Sequence, residues 1–233
     1  MTISAPCPII FDLDGTLIDS APDIHATVNR TLQAYGYGGL SFAQVRSFIG
    51  HGAPHLIERV IGTLPNALDA DMKASFLNDF LRAYDQAVDL THLYPNVRGA
   101  LQHLMDNGHP LAICTNKPVQ PTQSILAHLG ISDFFKPVIG GDSLTTKKPD
   151  PAPLRAVLAT LSCDPANALY VGDSEVDAQT AQAAGVSFAL YAHGYRKSSC
   201  AEIASRFGCA LIFDDFTELT AFIDTKTPPI TAP

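Results

Sequence analysis

Short apolar runs recur along the chain, each closed by a polar or glycine-bearing cluster: residues 8–11, 111–114, 137–139, 168–171, 188–191 and 210–213. Runs this short, without polar alternation, fit strands buried on both faces. Between most of them lie stretches with the period of a helix. One spans residues 119–129 and stops at Gly130. Another spans residues 151–161, with Asp150 as N-cap and Pro151 at the first helical position. Strand alternating with helix predicts an α/β fold, a doubly wound parallel sheet with a Rossmann-like core covered on both faces.

Residues 18–89 break that rhythm, showing helical periodicity and no convincing strand. Ser20 with Asp23 reads as a capping box ahead of Ile24, Val28 and Leu32, and Gly36 ends that helix. Ser41 with Gln44 is a second capping box, and Gly50-His51-Gly52 interrupts the stretch it opens. Leu68, Met72, Phe76, Phe80 and Tyr84 then recur mostly at spacing four, the buried stripe of a longer helix. The expected organisation is a Rossmann-like core of residues 1–17 and 90–233, interrupted by a helical cap of residues 18–89 over whatever the first strand presents. Residues 225–233 carry three prolines and read as an extended, frayed tail.

Composition narrows the class. At 233 residues and 46% hydrophobic, the chain can bury a real core without disulfide staples. A net charge of −8 argues against non-specific binding to nucleic acid or an anionic membrane. No run approaches the roughly 18 apolar residues of a membrane span, and residues 1–8 lack the basic and apolar parts of a signal peptide. Five cysteines with no CxxC spacing suit idle thiols in a reducing cytoplasm.

In an open parallel sheet, ligands bind beyond the carboxyl ends of the strands. Asp12-Leu13-Asp14-Gly15-Thr16 follows the first run, and Thr115-Asn116-Lys117-Pro118 follows the second. Lys147-Lys148-Pro149 precedes a helix, and Gly172-Asp173-Ser174 follows the fourth run, with Asp177 four residues beyond Asp173. Carboxylates gathered at one sheet end repel unless a cation or proton intervenes. An oxygen-only set suits a hard cation such as Mg²⁺, which completes its shell with water and phosphate. Lys148 and the Thr115 hydroxyl are donor types that hold a phosphate. The pattern is that of a phosphoryl-transfer site built on aspartate.

Taken singly, the pieces have duller readings. Asp14-Gly15 could be a hairpin turn, but Pro22 and a capping box stand where the second strand would run. An EF-hand loop fails because its glycine belongs five residues after the first aspartate, and Gly15 comes three after Asp12. His51 and His55 have a zinc-like i, i+4 spacing, but Gly52 and Pro54 lie between them and deny the motif its helix. The order and spacing of all four pieces argue against coincidence.

These motifs, Asp12-x-Asp14-Gly15-Thr16-Leu17, Thr115-Asn116, Lys148-Pro149 and Gly172-Asp173-Ser174-x-x-Asp177, resemble the haloacid dehalogenase-like hydrolase superfamily over nearly the whole chain. Within it, Asp19-Ser20-Ala21-Pro22-Asp23, Thr115–Pro118, Gly140-Gly141-Asp142-Ser143 and the stretch 148–153 look most like phosphoglycolate phosphatases. The resemblance implies that Asp12 attacks phosphorus to form an aspartyl-phosphate. Asp14 would protonate the leaving alkoxide and then deprotonate the attacking water. Mg²⁺ would be held by Asp12, the backbone carbonyl of Asp14, and Asp173, with Asp177 acting from behind them. Thr115, the Asn116 amide and Lys148 would hold the phosphate oxygens, and the cap would close over a small substrate.

The implied activity is Mg²⁺-dependent hydrolysis of a phosphomonoester, with 2-phosphoglycolate foremost. The expected partner is a small phosphorylated metabolite, the compartment cytoplasmic, the protein a monomer or homodimer. Asp14 argues against dehalogenation, which in this superfamily lacks that acid/base residue. Residues 21–35 contain no lysine for the Schiff base of the phosphonate hydrolases, and Lys73 is the only cap lysine. Another phosphate ester or pyrophosphate, or a sugar-phosphate mutase served by His25, are alternative readings. An aspartate-phosphorylated signalling receiver is one from a different class. Arg46, the Gly50-His51-Gly52 loop and His55 are the candidates for reading a substrate carboxylate.

Overall fold

The computed structural model describes residues 6–226. Its strands are β1 (Ile9–Phe11), β2 (Ile18–Asp19), β3 (His92–Leu93), β4 (Leu111–Cys114), β5 (Val138–Ile139), β6 (Leu169–Gly172), β7 (Ser187–Tyr191) and β8 (Leu211–Phe213). Six of them form one parallel sheet in the order β5-β4-β1-β6-β7-β8. The chain winds outward from β1 through β4 to β5, then returns to β6 and winds the other way. The switch therefore falls between β1 and β6, the place where an open sheet parts its connections and admits a ligand.

Alternation along the strands explains why both faces are apolar. Ile9 and Phe11 point to one face, where they pack with Ile113 and Val171 beneath α5 (Val97–Asp106), α6 (Val119–His128) and α10 (Phe216–Lys226). Ile10 points to the other, with Ala112, Tyr170 and Leu190, beneath α7 (Ala152–Thr160), α8 (Glu175–Ala184) and α9 (Cys200–Phe207). The predicted runs reappear as strands shifted by at most one residue at either end.

Between β2 and β3 lie α1 (Ala21–Ala34), α2 (Phe42–Arg46), α3 (Ala53–Ile61) and α4 (Ala70–Tyr84). They close around their own core of Ile24, Val28, Leu32, Val45, Leu56, Val60, Phe76 and Phe80. Gly36, at φ 78°, lets the Tyr37 N–H turn back to the Leu32 carbonyl at 2.9 Å and ends α1 as expected.

Four details differ from the sequence reading. The insert is entered and left through a two-residue antiparallel ribbon, Ile18 opposite Leu93 and Asp19 opposite His92. Met72 is exposed and Leu68 precedes the helix, because the Asp69 carboxylate accepts from the Met72 N–H at 2.8 Å and starts α4 there. Ser20 makes no capping box, for reasons that belong to the site below. The tail is also not extended from its start, since Thr225 and Lys226 complete α10. Residues 227–233 and 1–5 lie outside the described residues.

Candidate active site

β4, β1 and β6 are neighbours, so the loops beyond their carboxyl ends are brought side by side. They carry Asp12 and Asp14, Thr115–Lys117, and Asp173. Lys148 reaches the same place from the segment before α7, and Asp177 from the first turn of α8. Asp12, Asp173 and Asp177 are all buried, and one carboxylate oxygen from each lies within 4.8 Å of the others.

Lys148 is the single buried ammonium set against these three carboxylates. Its Nζ stands 2.9 Å from Asp12 Oδ1 and 2.6 Å from Asp177 Oδ1, and donates to the Tyr170 hydroxyl at 2.8 Å. Burial pulls its pKa down, but the charges of Asp12 and Asp177 outweigh burial and hold it well above the usual lysine range. Burial raises the Asp12 pKa to about 7, against the opposing pull of Lys148 and with the Asp177 charge adding to the rise. Burial, with Asp177 and Asp12 alongside, pushes Asp173 well above the carboxylate range too. The cluster thus carries more buried negative charge than Lys148 offsets.

The donor set fits a hard divalent cation. It is oxygen-only, and Asp12 Oδ1 is buried without a well-directed hydrogen bond despite its nearness to Lys148. The two oxygens of Asp177 are already engaged: Oδ1 by Lys148 and the Tyr170 hydroxyl, Oδ2 by Ser174 Oγ at 2.6 Å and the Asp173 and Ser174 N–H groups. Asp177 accepts from five groups, Asp173 from one at each oxygen, and Asp12 Oδ1 from none, so Asp12 and Asp173 keep the freer lone pairs and Asp177 stands behind them.

Asp173 is pinned with unusual closeness. Thr16 Oγ1 donates to it at 3.0 Å and the Tyr195 N–H at 2.5 Å. A Cβ at Gly15 or Gly194 would collide with its carboxylate, so both loops approach it where only glycine fits. Gly15 also sits at φ 88°.

Asp14 is not in the acidic cluster. Its Oδ1 accepts from Ser20 Oγ at 2.6 Å and lies 3.3 Å from Lys117 Nζ. This explains the missing capping box. The Ser20 hydroxyl is drawn to Asp14, while the Asp23 carboxylate accepts from Thr91 Oγ1 at 2.6 Å and the Leu90 N–H at 3.0 Å. The free N–H groups that open α1, those of Ser20 and Ala21, are taken instead by the Tyr195 hydroxyl at 2.8 and 3.0 Å. That hydroxyl donates in turn to Asp19 at 2.7 Å.

A recess opens above Asp12 and Asp14. Thr115, Asn116 and Lys117 line it from the sheet; Ile24, Ile49, Gly50, Gly52, Leu56 and Tyr84 line it from the insert. Thr115 Oγ1 accepts from the Lys117 N–H at 3.2 Å, which leaves its own proton for a ligand. The Asn116 side chain bridges the two halves, its amide nitrogen donating to the Gly50 and Lys148 carbonyls at 3.1 and 3.0 Å.

The expected substrate readers fall out differently. Arg46 does not face the recess; it donates to the Gly194 carbonyl at 2.9 Å and stacks over the Tyr195 ring, bridging insert and core. His51 borders an adjoining cleft with Asp12, Asp14 and Asp173, and its Nδ1 is buried without a partner. Burial, with Lys197 nearby, lowers its pKa. His55 packs its ring on His51 and lies 3.9 Å from Glu58. His25 is turned away, its Nε2 against the Leu40 carbonyl and Asn29, while Ile24 lines the recess in its place. The sequence reading overlooked Lys117, visible only as part of a motif, and Tyr195, which had no signal at all.

A family model described as haloacid dehalogenase-like hydrolase matches residues 9–191. A phosphoglycolate phosphatase of Rhodobacter capsulatus is 44% identical over 219 residues, 94% of this chain and 97% of that one. A phosphoglycolate phosphatase of Cereibacter sphaeroides (strain ATCC 17025 / ATH 2.4.3) is 48% identical over 189 residues, covering 81% and 86%. Among solved structures, a predicted phosphoglycolate phosphatase from Haemophilus somnus 129pt superposes with a TM-score of 0.88 at 33% identity, covering 93% and 97%.

Proposed function

This chain belongs to the haloacid dehalogenase-like hydrolase family, and on that premise we propose that it is a Mg²⁺-dependent phosphatase whose substrate is 2-phosphoglycolate. The observation that carries this reading is the contrast between two aspartates two residues apart. Asp12 belongs to the buried acidic cluster, whereas the Asp14 carboxylate is turned to Ser20 and Lys117 at the edge of the recess. Neighbouring carboxylates held in such different surroundings suit different tasks. The name carried by its relatives at 44–48% identity supports the choice of substrate.

In this mechanism an Asp12 carboxylate oxygen forms the bond to phosphorus as the ester P–O bond breaks. Asp14 gives its proton to the departing alkoxide, then takes one from the water that attacks the aspartyl-phosphate and frees inorganic phosphate. The Thr115 hydroxyl and the backbone N–H of Asn116 hold the phosphoryl oxygens, and Lys148 fixes Asp12 for attack while offsetting charge. Asp12, Asp173 and the Asp14 backbone carbonyl would hold Mg²⁺, which when bound polarises the phosphoryl group and neutralises developing charge. Asp177 orients these groups through Lys148 and the Asp173 N–H. Residues 18–89 act as a cap and the rest as the core, and closure excludes water while the intermediate forms.

The same reading makes a small phosphorylated metabolite the partner and the cytoplasm the compartment, with the protein a monomer or homodimer. No helix among the described residues is long and apolar enough to cross a membrane, and the cysteines are free.

The test is phosphate release from a panel containing 2-phosphoglycolate, hexose phosphates, nucleoside monophosphates and pyrophosphate, with Mg²⁺ and with EDTA. The expected result is that 2-phosphoglycolate leads in kcat/KM by at least about 10²-fold and that EDTA abolishes turnover. A different leading ester would overturn the substrate and keep the chemistry. No turnover, with acetyl phosphate labelling Asp12, would favour the receiver.

A further inference from the structure

Two lysines are buried at the site, and they are paired very differently. Lys148 donates to Asp177 at 2.6 Å and Tyr170 at 2.8 Å, and its charge stands 2.9 Å from Asp12 Oδ1. Lys117 has one carboxylate neighbour, Asp14, at 3.3 Å. Its other partner is neutral: Nζ donates to the Tyr84 hydroxyl and lies 4.1 Å from the centre of that ring. A buried ammonium costs several kcal/mol in desolvation unless its partners are good. Lys117 has an imperfect set and a third N–H with no protein acceptor among the described residues.

The recess lies in front of it. Of the side chains that line this space, Lys117 is the one cation; the roof is Ile24, Ile49, Leu56 and the Tyr84 ring. The Tyr84 hydroxyl accepts from Lys117, and its own proton is left for an acceptor in the same space. Burial raises the Tyr84 pKa well above its usual value, so it stays a donor at any working pH. An ammonium and a phenol side by side on an apolar wall form a carboxylate subsite.

The loop keeps the two donors on one short stretch of backbone. Thr115 and Lys117 are two residues apart, so their Cα atoms are at most about 7 Å apart. Their loop is braced from behind. The Gly141 N–H donates to the Lys117 carbonyl at 2.8 Å, and Cβ atoms at Gly140 and Gly141 would meet the Lys117 and Asn116 backbones. Lys117 Nζ also stands 3.3 Å from Asp14 Oδ1, the carboxylate set against the leaving oxygen in the phosphatase reading, so an anion held by Lys117 lies close to that oxygen.

We propose that Lys117, seconded by the Tyr84 hydroxyl, is the specificity residue that binds the substrate's carboxylate, one carbon away from the phosphoester oxygen. This rests on the phosphatase reading above and deepens it. It moves carboxylate recognition from the cap residues Arg46, His51 and His55 to a lysine of the core, roofed by a tyrosine of the insert.

The experiment compares 2-phosphoglycolate with ethyl phosphate, which lacks the carboxylate, on wild type, Lys117→Met, Lys117→Arg and Tyr84→Phe with Mg²⁺ present. Wild type is expected to prefer 2-phosphoglycolate by about 10²–10³-fold in kcat/KM, in the range a polar subsite gives. Lys117→Met should lower both rates but bring the preference to within about threefold of unity, with the loss appearing largely in KM. Lys117→Arg, which keeps the cation, should retain about a tenth of the preference, and Tyr84→Phe should lower it about five- to tenfold. Thermal melting establishes that each variant folds; should Lys117→Met fail to fold, the other two decide. If wild type prefers 2-phosphoglycolate and the variants preserve that preference while losing both rates equally, the carboxylate subsite is overturned and the phosphatase reading stands. If wild type itself shows no preference, the substrate assignment falls, and the subsite with it.

Discussion

The floor and the roof of the recess are built by opposite means. The floor is polar, deeply buried and over-determined: Asp173 is held by Thr16, Tyr195 and two glycines, and Asp177 accepts from five groups. The roof is Ile24, Ile49 and Leu56 beside Tyr84, packed as the inner surface of a small helical core. Polar groups whose every neighbour is specified hold a fixed geometry, which transition-state stabilisation requires. An apolar wall specifies only a shape. The floor should therefore set whether phosphoester chemistry happens at all, and the rim residues Lys117 and Tyr84 which ester is admitted.

The strongest way to break this division is Asp12→Asn. It should cut kcat by roughly 10⁴-fold or more on every ester while leaving the ranking of substrates intact, read by phosphate release. A variant that changed the ranking instead would put recognition in the floor.

Lys148→Met comes next. It leaves Asp12 and Asp177 buried without their counter-charge, which costs on the order of 3–5 kcal/mol. A lowered urea midpoint checks it, with part of the loss regained in excess Mg²⁺.

A smaller effect separates the regions by pH. Asp12 binds its proton up to about pH 7 in the fold, against an ordinary value of 3.8, and burial raises Asp173 well above that ordinary value in the same sense. The folded state then holds more protons than the unfolded one, so metal-free stability falls as pH rises from about 4 through 7 and beyond. Melting in EDTA should drop by several degrees between pH 5 and 8, at roughly 2–4 °C per kcal/mol. Mg²⁺ should restore more at pH 8 than at pH 5, and Asp173→Asn should flatten the slope. A pH-independent melting point would contradict the account of the cluster.

The smallest effect belongs to Arg46→Ala. Its guanidinium holds the Gly194 carbonyl and the Tyr195 ring outside the recess. The KM for 2-phosphoglycolate should change by no more than about threefold, the scale of an exposed contact. A thirtyfold rise would return it to the substrate.

The floor was largely legible because its residues follow strands. Apolar runs end abruptly, and Asp12, Thr115 and Asp173 stand at those ends, so the parallel sheet itself tells which side chains converge. The roof was not, since helical periodicity announces burial but not which buried face meets a ligand; Ile24 and Tyr84 looked like ordinary core positions. Lys117 was hidden by its class, since a lysine is expected in solvent and only three-dimensional pairing reveals a buried one. The capping box at Ser20 misled for a related reason. The local pattern was right, but Asp14, on the loop just before it, and Tyr195, far along the chain, outcompeted it. Two-residue strands such as β2 and β3 carry too few positions to show a period.

The central claim is that Asp12 carries the phosphoryl group between substrate and water. The direct measurement is rapid acid quench of the Mg²⁺-loaded protein during turnover of ³²P-labelled 2-phosphoglycolate, followed by mapping of protein-bound label. The account predicts alkali-labile label on the peptide containing Asp12, appearing before free phosphate reaches its steady rate and absent in Asp12→Asn. Full turnover with no bound label at any quench time, and an Asp12→Asn variant that keeps its rate, would contradict it.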